Sequence, residues 1–374
     1  MGNPLIEVQK YGQSIWYDNI SRGLVLSGGL HRMVEQDGLL GVTSNPAIFE
    51  KAMAGSDDYL PATRALVAQG VHDPSEIFEH LAIQDIQMAA DVLYPAWRRT
   101  AKRDGYVSLE VSPHLANDTQ GTLEDARRLW SEVGRENLMI KVPATPAGVP
   151  AIEQLLAEGI NVNVTLLFAV AAYADVAEAW LRGLERRAER GQALDHVASV
   201  ASFFVSRIDA LVDGKIEAAG DPSLAPLLGR IAIANARLAY AHFRDVLASD
   251  RWQALAAKGA QSQRVLWAST STKNPSYPKT LYVDELVGAD TVNTLPGDTF
   301  EAFRDEGTAR DVLGTGFDAQ LAEASEQIAR LEAAGISLDE STDQLLTEGV
   351  RKFVEPFDSL LATIERRRGE ISGR

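Results

Sequence analysis

The chain has 374 residues, 45% hydrophobic and 24% charged, enough for one large α/β domain or two ordinary ones. A formal net charge of -16 argues against non-specific attraction to nucleic acid or an anionic membrane, and a phosphorylated substrate would need a locally basic pocket. With no cysteine, disulfides, thiol catalysis and cysteine-ligated zinc are excluded, and with no membrane-length apolar run and no signal-peptide pattern in Met1–Glu7 the expectation is a cytoplasmic protein.

Residues 1 to 13 read as a short lead-in. Ser14-Ile15-Trp16-Tyr17-Asp18, aromatic and β-branched, predicts a first strand ending on a carboxylate. A helical pattern through Leu24, Leu26, Leu30 and Met33 stops at Asp37-Gly38, and Leu39 to Pro46 reads as a second strand running into a polar turn. Residues 47 to 104 carry only helical signals, more than one connecting helix requires, so a helical insertion is expected. Tyr106 to Val111 is a third strand, and Thr122 with Glu124 and Asp125 marks the N-cap and acidic first turn of the next helix.

Asn137 to Thr145 is a fourth strand, apolar except for Lys141, followed by a short helix from Pro150 that Gly159 closes. Ile160 to Phe168 is a fifth strand, with a long helix from Ala171 to about Arg190. Val197 to Val205 is a sixth, with helical signals over 208 to 258. Arg264 to Thr270 is a seventh and Ala289 to Leu295 a short eighth. From Phe300 onward the chain reads as helical, and Arg366-Arg367-Arg368 reads as a solvated helix end that complements the dipole.

Strands alternating with helices in this number predict a (β/α)8 TIM barrel with a helical insertion after strand 2 and extra C-terminal helices. The competing reading is an open doubly wound sheet. One domain is expected over 1–374, with the barrel spanning 14–296 and the helices of 297–374 packed on it.

A lysine on a buried strand either snorkels its ammonium to water or supplies the neutral amine that Schiff-base chemistry needs. The other strand ends bear on that choice, because a barrel of this kind keeps its active site at the C-terminal ends of its strands. Those ends hold Asp18, then Thr43, Ser44 and Asn45, then Glu110, Lys141, Asn163 and Thr165, then Ser202, Arg207, Ser269, Thr270 and Asn293. Strand alternation puts Lys141 on one face with Met139, and Asn163 with Thr165, leaving Val162, Val164 and Leu166 on the other.

This set suits carbonyl chemistry without a metal. Lys141 attacks a ketone to form an iminium, an electron sink for breaking a carbon–carbon bond, while Asp18 and Glu110 divide the acid/base work. The alternative for either carboxylate is a structural ion pair with Lys141. No dinucleotide, nucleotide, zincin or nucleophile-elbow motif is present, and the six histidines show no metal-ligand spacing.

Four segments carry a resemblance. Gly41-Val42-Thr43-Ser44-Asn45-Pro46-Ala47-Ile48-Phe49 resembles the second strand of transaldolases, and Met139-Ile140-Lys141-Val142-Pro143-Ala144-Thr145 their Schiff-base strand. Asn161 to Phe168 resembles their fifth strand and Ala201 to Asp209 their sixth. The resemblance runs from about Trp16 to Pro296. It implies a cofactor-independent class I aldolase-type barrel of the pentose phosphate pathway. Such enzymes move a dihydroxyacetone unit from sedoheptulose 7-phosphate to glyceraldehyde 3-phosphate, giving erythrose 4-phosphate and fructose 6-phosphate.

By position, the resemblance makes Lys141 the Schiff-base lysine and Asp18 the acid/base of bond cleavage. Glu110 and Thr165 hold a proton-shuttling water, Asn45 and Asn163 bind donor hydroxyls, and Ser202 and Arg207 help form the phosphate site. Thr43, Ser44 and Ser269 join the expected substrate-binding set, and Lys273 stands where many members have an arginine, a point charge in place of a bidentate fork. The third strand lacks the acid that many members place after the valine, and the C-terminal helices exceed the barrel's needs, as in the longer bacterial and plant-type branch. A fructose 6-phosphate aldolase of the same lineage and a catalytically inactive binding barrel are the alternatives, and a monomer or homodimer is expected.

Overall fold

The apolar, β-branched runs form eight parallel strands that close into one barrel in a computed structural model describing residues 2–372. The strands are β1 (Gln13–Tyr17), β2 (Gly41–Val42), β3 (Tyr106–Glu110), β4 (Leu138–Pro143), β5 (Val162–Leu167), β6 (Ser199–Phe204), β7 (Arg264–Ala268) and β8 (Thr291–Leu295). β1 pairs with β8 from Gln13↔Thr291 to Tyr17↔Leu295, which closes the ring and rules out the open sheet. The second strand contributes only two ladder residues, because the chain turns at Thr43 into the helix Pro46–Ala54. Asp18 is the first residue beyond β1 rather than its last member.

Of the expected helical insertion, Pro74–Arg99 is the barrel's own helix, packed along β3 and on the helix Thr119–Val133. The inserted part is therefore Pro46–Ala54 and Leu60–Ala68. The helix after β3 begins at Thr119, not Thr122. Asp118 is its N-cap, accepting from the Gly121 amide, while the Thr122 hydroxyl donates back to the Leu115 carbonyl. The lead-in is ordered: the turns Pro4–Glu7 and Val8–Tyr11 bury Leu5 and Val8.

The interior is layered. At the floor, Arg264 and Asp104 form an ion pair of 2.9 Å with both side chains 4% exposed. Ser14 and Trp16 Nε1 donate to the same carboxylate, and Arg264 also donates to Ser14. Above them Trp16 fills the core against β2, where Gly41 is required: a Cβ there would lie 2.4 Å from the indole. One more step up the same face of the chain lies Asp18, at the mouth.

Alternation fails at one place. The register of β5 on β6 shifts between Val164 and Leu167, and Leu166 adopts φ +60, so the expected outward row does not continue through Leu166. The bulge brings Leu166 and Phe168 against Gly349 of the long C-terminal helix Leu338–Ser372. That helix crosses the mouth of the barrel. Arg367, in the basic run expected to complement its own helix end, donates instead to the carbonyls of Ala54 and Ser56 and clasps the end of Pro46–Ala54.

Removing one partner of the floor pair leaves an uncompensated buried charge. Arg264→Met is therefore expected to cost about 3–5 kcal/mol, read as a lower urea midpoint at unchanged m. A loss below about 1 kcal/mol would mean that the pair behaves like a surface ion pair.

Candidate active site

Lys141 stands in the middle of a row across three strands, in register with Glu110 on β3 and Asn163 on β5. Its side chain is 5% exposed, and its Nζ lies 3.7 Å from Glu110 Oε2. Nζ also donates to the Ser44 carbonyl at 3.1 Å. That carbonyl is offered because β2 ends early. Asn45 then N-caps the following helix by accepting from the Ile48 amide, and the Ser44 hydroxyl donates to the Ser108 carbonyl, fixing the turn.

Burial pushes the Glu110 carboxyl up to about 7, and the neighbouring Lys141 only partly opposes this. Neither Glu110 oxygen nor the Thr165 hydroxyl has a hydrogen-bond partner within the protein. Three unpartnered acceptor or donor positions around one amine are the atoms a bound water or a substrate hydroxyl would satisfy.

Asp18 approaches from β1. Its Oδ1 accepts from Thr43 at 2.6 Å, and Thr43 Oγ1 lies 2.7 Å from the Thr294 hydroxyl. Withdrawal from bulk water raises the carboxyl above its ordinary value, opposed by Lys141, the Thr43 hydrogen bond, Arg207 and Lys273. A cavity of about 180 Å³ joins Asp18, Asn45, Lys141, Ser202, Arg207 and Lys273.

The far side of this cavity is basic despite the acidic chain. Arg207, in the first turn of the helix Ser206–Ala219, stacks over the Phe204 ring at 5.1 Å and leaves Nη1 without a partner. Lys273 donates to Ser271 at 2.8 Å. Burial lowers the pKa of both cations, and for Lys273 the charge of Arg207 adds to the effect. Holding two cations together with an unpartnered donor suits a phosphate. The loop that carries Lys273 is tied down behind: Tyr277 donates to Asp213 at 2.7 Å and Tyr282 to Asp209 at 2.8 Å, both on the helix that begins with Arg207.

The cavity takes in Asp18, Thr43, Asn45, Lys141, Ser202, Arg207, Ser269 and Lys273 of the expected set. Glu110, Thr165, Asn163 and Ser44 form the layer behind them. Asn163 donates to Ser108 at 2.9 Å and accepts from Ser202 at 2.6 Å, which orients Ser202 and still leaves the amide a second N–H and a second lone pair. Ser44 takes part through its carbonyl. Ser269, at φ +54, turns the chain and pairs with the Ser206 hydroxyl.

Asn293 does not reach the cavity. It accepts from Thr270, and its neighbour Thr294 lines the site instead, one residue along the alternating strand. Phe353, whose ring lies 5.5 Å from Lys141 Nζ, was not legible either, since nothing in a helical pattern tells what the helix covers. A second cavity of about 250 Å³ lies behind Glu110, between Phe49, Phe78, Leu129 and Phe357. It is larger and more apolar and is lined by His114, Glu79, Glu110 and Asp125, whereas Lys141, Arg207 and Lys273 all line the smaller one. Among the described residues no group of three or more histidine or carboxylate side chains is placed to hold a metal ion.

A family model described as transaldolase/fructose-6-phosphate aldolase matches residues 15–364. The chain is 50% identical to "Transaldolase 2" of Nostoc sp., over 97% of each chain. It is 47% identical to "Transaldolase" of Acidothermus cellulolyticus, over 98% of this chain and 97% of the relative. It is 46% identical to "Transaldolase" of Trichodesmium erythraeum, again over 98% and 97%.

The raised Glu110 has a signed consequence for stability. In the unfolded chain the carboxyl titrates near its ordinary 4.5 and in the folded protein near 7, so folding retains a proton across that window and stability falls as pH rises through it. Glu110→Gln is expected to lose less stability than the wild type between about pH 5 and 7 in urea denaturation. Parallel curves for the two proteins would contradict the shift.

Proposed function

The chain belongs to the transaldolase/fructose-6-phosphate aldolase family, and we propose that it works as a transaldolase whose covalent chemistry runs through Lys141. The observation that carries the reading is the position of Lys141 Nζ, 3.7 Å from Glu110 and facing a cavity that also holds Asp18, Arg207 and Lys273. The substrates are sugar phosphates: sedoheptulose 7-phosphate as donor and glyceraldehyde 3-phosphate as acceptor.

The amine of Lys141 adds to the donor ketone, and proton transfers through Glu110 and a water held between it and Thr165 expel the carbonyl oxygen as water. A carboxyl that titrates near 7 both gives and takes protons efficiently at neutral pH. The resulting iminium withdraws electrons. Asp18 then takes the proton of the hydroxyl on the departing carbon of the scissile bond, the oxygen's electron pair forms the aldose carbonyl as that bond breaks, the bonding pair moves into the iminium to leave an enamine, and the shortened aldose departs. Adding an acceptor aldehyde reverses these steps, with Asp18 returning the proton to the new hydroxyl. Burial that raises Asp18 makes it a stronger base for an alcohol, while Thr43, Lys141 and the two phosphate-side cations keep its carboxylate form accessible.

Arg207 and Lys273 are proposed to hold the substrate phosphate and Ser202 to add a hydroxyl there. Asn45, whose side-chain oxygen is committed to its helix cap, offers its amide nitrogen to the donor hydroxyls. The lysine at 273 supplies charge without a fork, so Arg207 carries the directional part of the recognition.

Transfer is tested by consumption of fructose 6-phosphate with and without erythrose 4-phosphate. Turnover is expected to depend on the added aldose; equal turnover without it would favour the aldolase of the same lineage. Lys141→Arg is expected to be inactive, because a guanidinium stays protonated. The rate is expected to rise with pH through about 7 as Glu110 ionises, and Glu110→Gln should lose that limb along with at least about a hundredfold in rate. A limb that survives in Glu110→Gln would assign the ionisation to another group.

A further inference from the structure

The helix Leu338–Ser372 is fixed at both ends and touches the site in the middle. At its start, Glu332 accepts from the Leu338 amide at 2.7 Å and Lys215 donates to Ser341 at 2.8 Å. At its far end Arg367 holds the carbonyls of Ala54 and Ser56. Between these anchors Gly349 lets the helix sink onto the β5 bulge: a Cβ there would stand 3.0 Å from Leu166 and 3.5 Å from Phe168. Four residues on, one turn along the same face, Phe353 is 3% exposed, lines the reaction cavity and faces Lys141 Nζ at 5.5 Å. A further turn places Phe357 over the second cavity, edge-on to Phe78 at 5.5 Å.

An enamine on Lys141 has two fates. Its nucleophilic carbon attacks an acceptor aldehyde, forming a carbon–carbon bond while the acceptor oxygen takes a proton. Alternatively the same carbon takes a proton, water adds to the resulting iminium carbon, the carbon–nitrogen bond breaks, and dihydroxyacetone leaves with Lys141 restored as an amine. The second route requires a proton and water at the enamine before an aldehyde arrives. We propose that Phe353 is a specificity-determining residue: its ring, set across the mouth by the C-terminal helix, keeps bulk water, beyond the one held by Glu110 and Thr165, from the nucleophilic carbon of the enamine so that the three-carbon unit is passed to an aldehyde and not released. This inference rests on the Schiff-base reading of Lys141.

Phe353 does this with two properties of one ring. It displaces solvent from the space above Nζ. Its π face also meets the amine and, after reaction, the iminium at a distance within reach of a cation–π contact. Neither property belongs to Phe357, which faces the other cavity. The helix closes the site from one side only; Arg207 and Lys273 line the same cavity, but the helix meets Arg207 through the charge of Glu348 and not through the Phe353 ring.

The test measures two rates with fructose 6-phosphate in the full-length enzyme: transfer to erythrose 4-phosphate, and release of dihydroxyacetone without an acceptor. In Phe353→Ala the ratio of release to transfer is expected to rise about tenfold or more, with the KM of the phosphorylated acceptor changed by less than about threefold. Phe353→Leu, which keeps most of the apolar bulk but no π face, is expected to fall between, at about two- to fivefold. It carries the test if the alanine variant does not fold. Phe357→Ala loosens the same helix and is expected to keep the wild-type ratio. An unchanged ratio in the Phe353 variants, or an equal rise in Phe357→Ala, overturns the proposal. A wild-type enzyme with no transfer at all would instead count against the transaldolase reading.

Discussion

A lysine buried 3.7 Å from a glutamate inside a barrel is the constraint on which the other features of the mouth depend. An ammonium there would be costly without compensation. Three groups compensate it: Glu110 on the neighbouring strand, the Ser44 carbonyl released by the short second strand, and the ring of Phe353 from the C-terminal helix. The price of that arrangement is visible in Glu110, whose oxygens find no hydrogen bond in the protein and whose carboxyl is held near 7. The burial that leaves those oxygens unpartnered is also what moves the titration of Glu110 toward neutral pH.

The charge of the chain and the charge of the site have opposite signs. A net charge of -16 gives no attraction at long range to a sugar phosphate. Arg207 and Lys273 reverse this locally, and the Asp18 carboxylate, which acts on both, offsets part of their mutual repulsion. Ser269 turns at a positive φ to accept from the Ser206 amide at 2.9 Å, and Tyr277 and Tyr282 fasten the Lys273 loop to two carboxyls on the Arg207 helix. Burial holds one of those carboxyls, Asp209, up at about 7, so the clamp is built from a neutral or weakly charged acid over most of the acidic range.

Much of this was legible in the sequence where the physics is local. The runs around Lys141, Asn163 and Ser202 are β-branched and apolar, and they form strands because every outward position packs under a helix. The polar strand ends converged because barrel topology alone forces them to one rim. What could not be read depends on distance or on one-residue register. Asn293 was named only as a polar residue near the end of its strand, and which of Asn293 and Thr294 faces the cavity turns on a one-residue register that polarity does not reveal. Leu166 leaves its row because a bulge is invisible in a continuous apolar run. The helix that begins after Asp118 was placed one turn late because Thr122 is an equally good cap by composition. The role of Leu338–Ser372 was hidden for a different reason: an amphipathic period announces a buried face without naming what buries it.

Whether Lys141 is the nucleophile is decided by borohydride reduction of the enzyme in the presence of fructose 6-phosphate, followed by peptide mass mapping. A reduced Schiff base leaves a stable adduct on the lysine that formed it. A single adduct is expected on the peptide containing Lys141, absent when the sugar is omitted. An adduct on Lys273 or any other lysine, or an unchanged mass in an active enzyme, would contradict it.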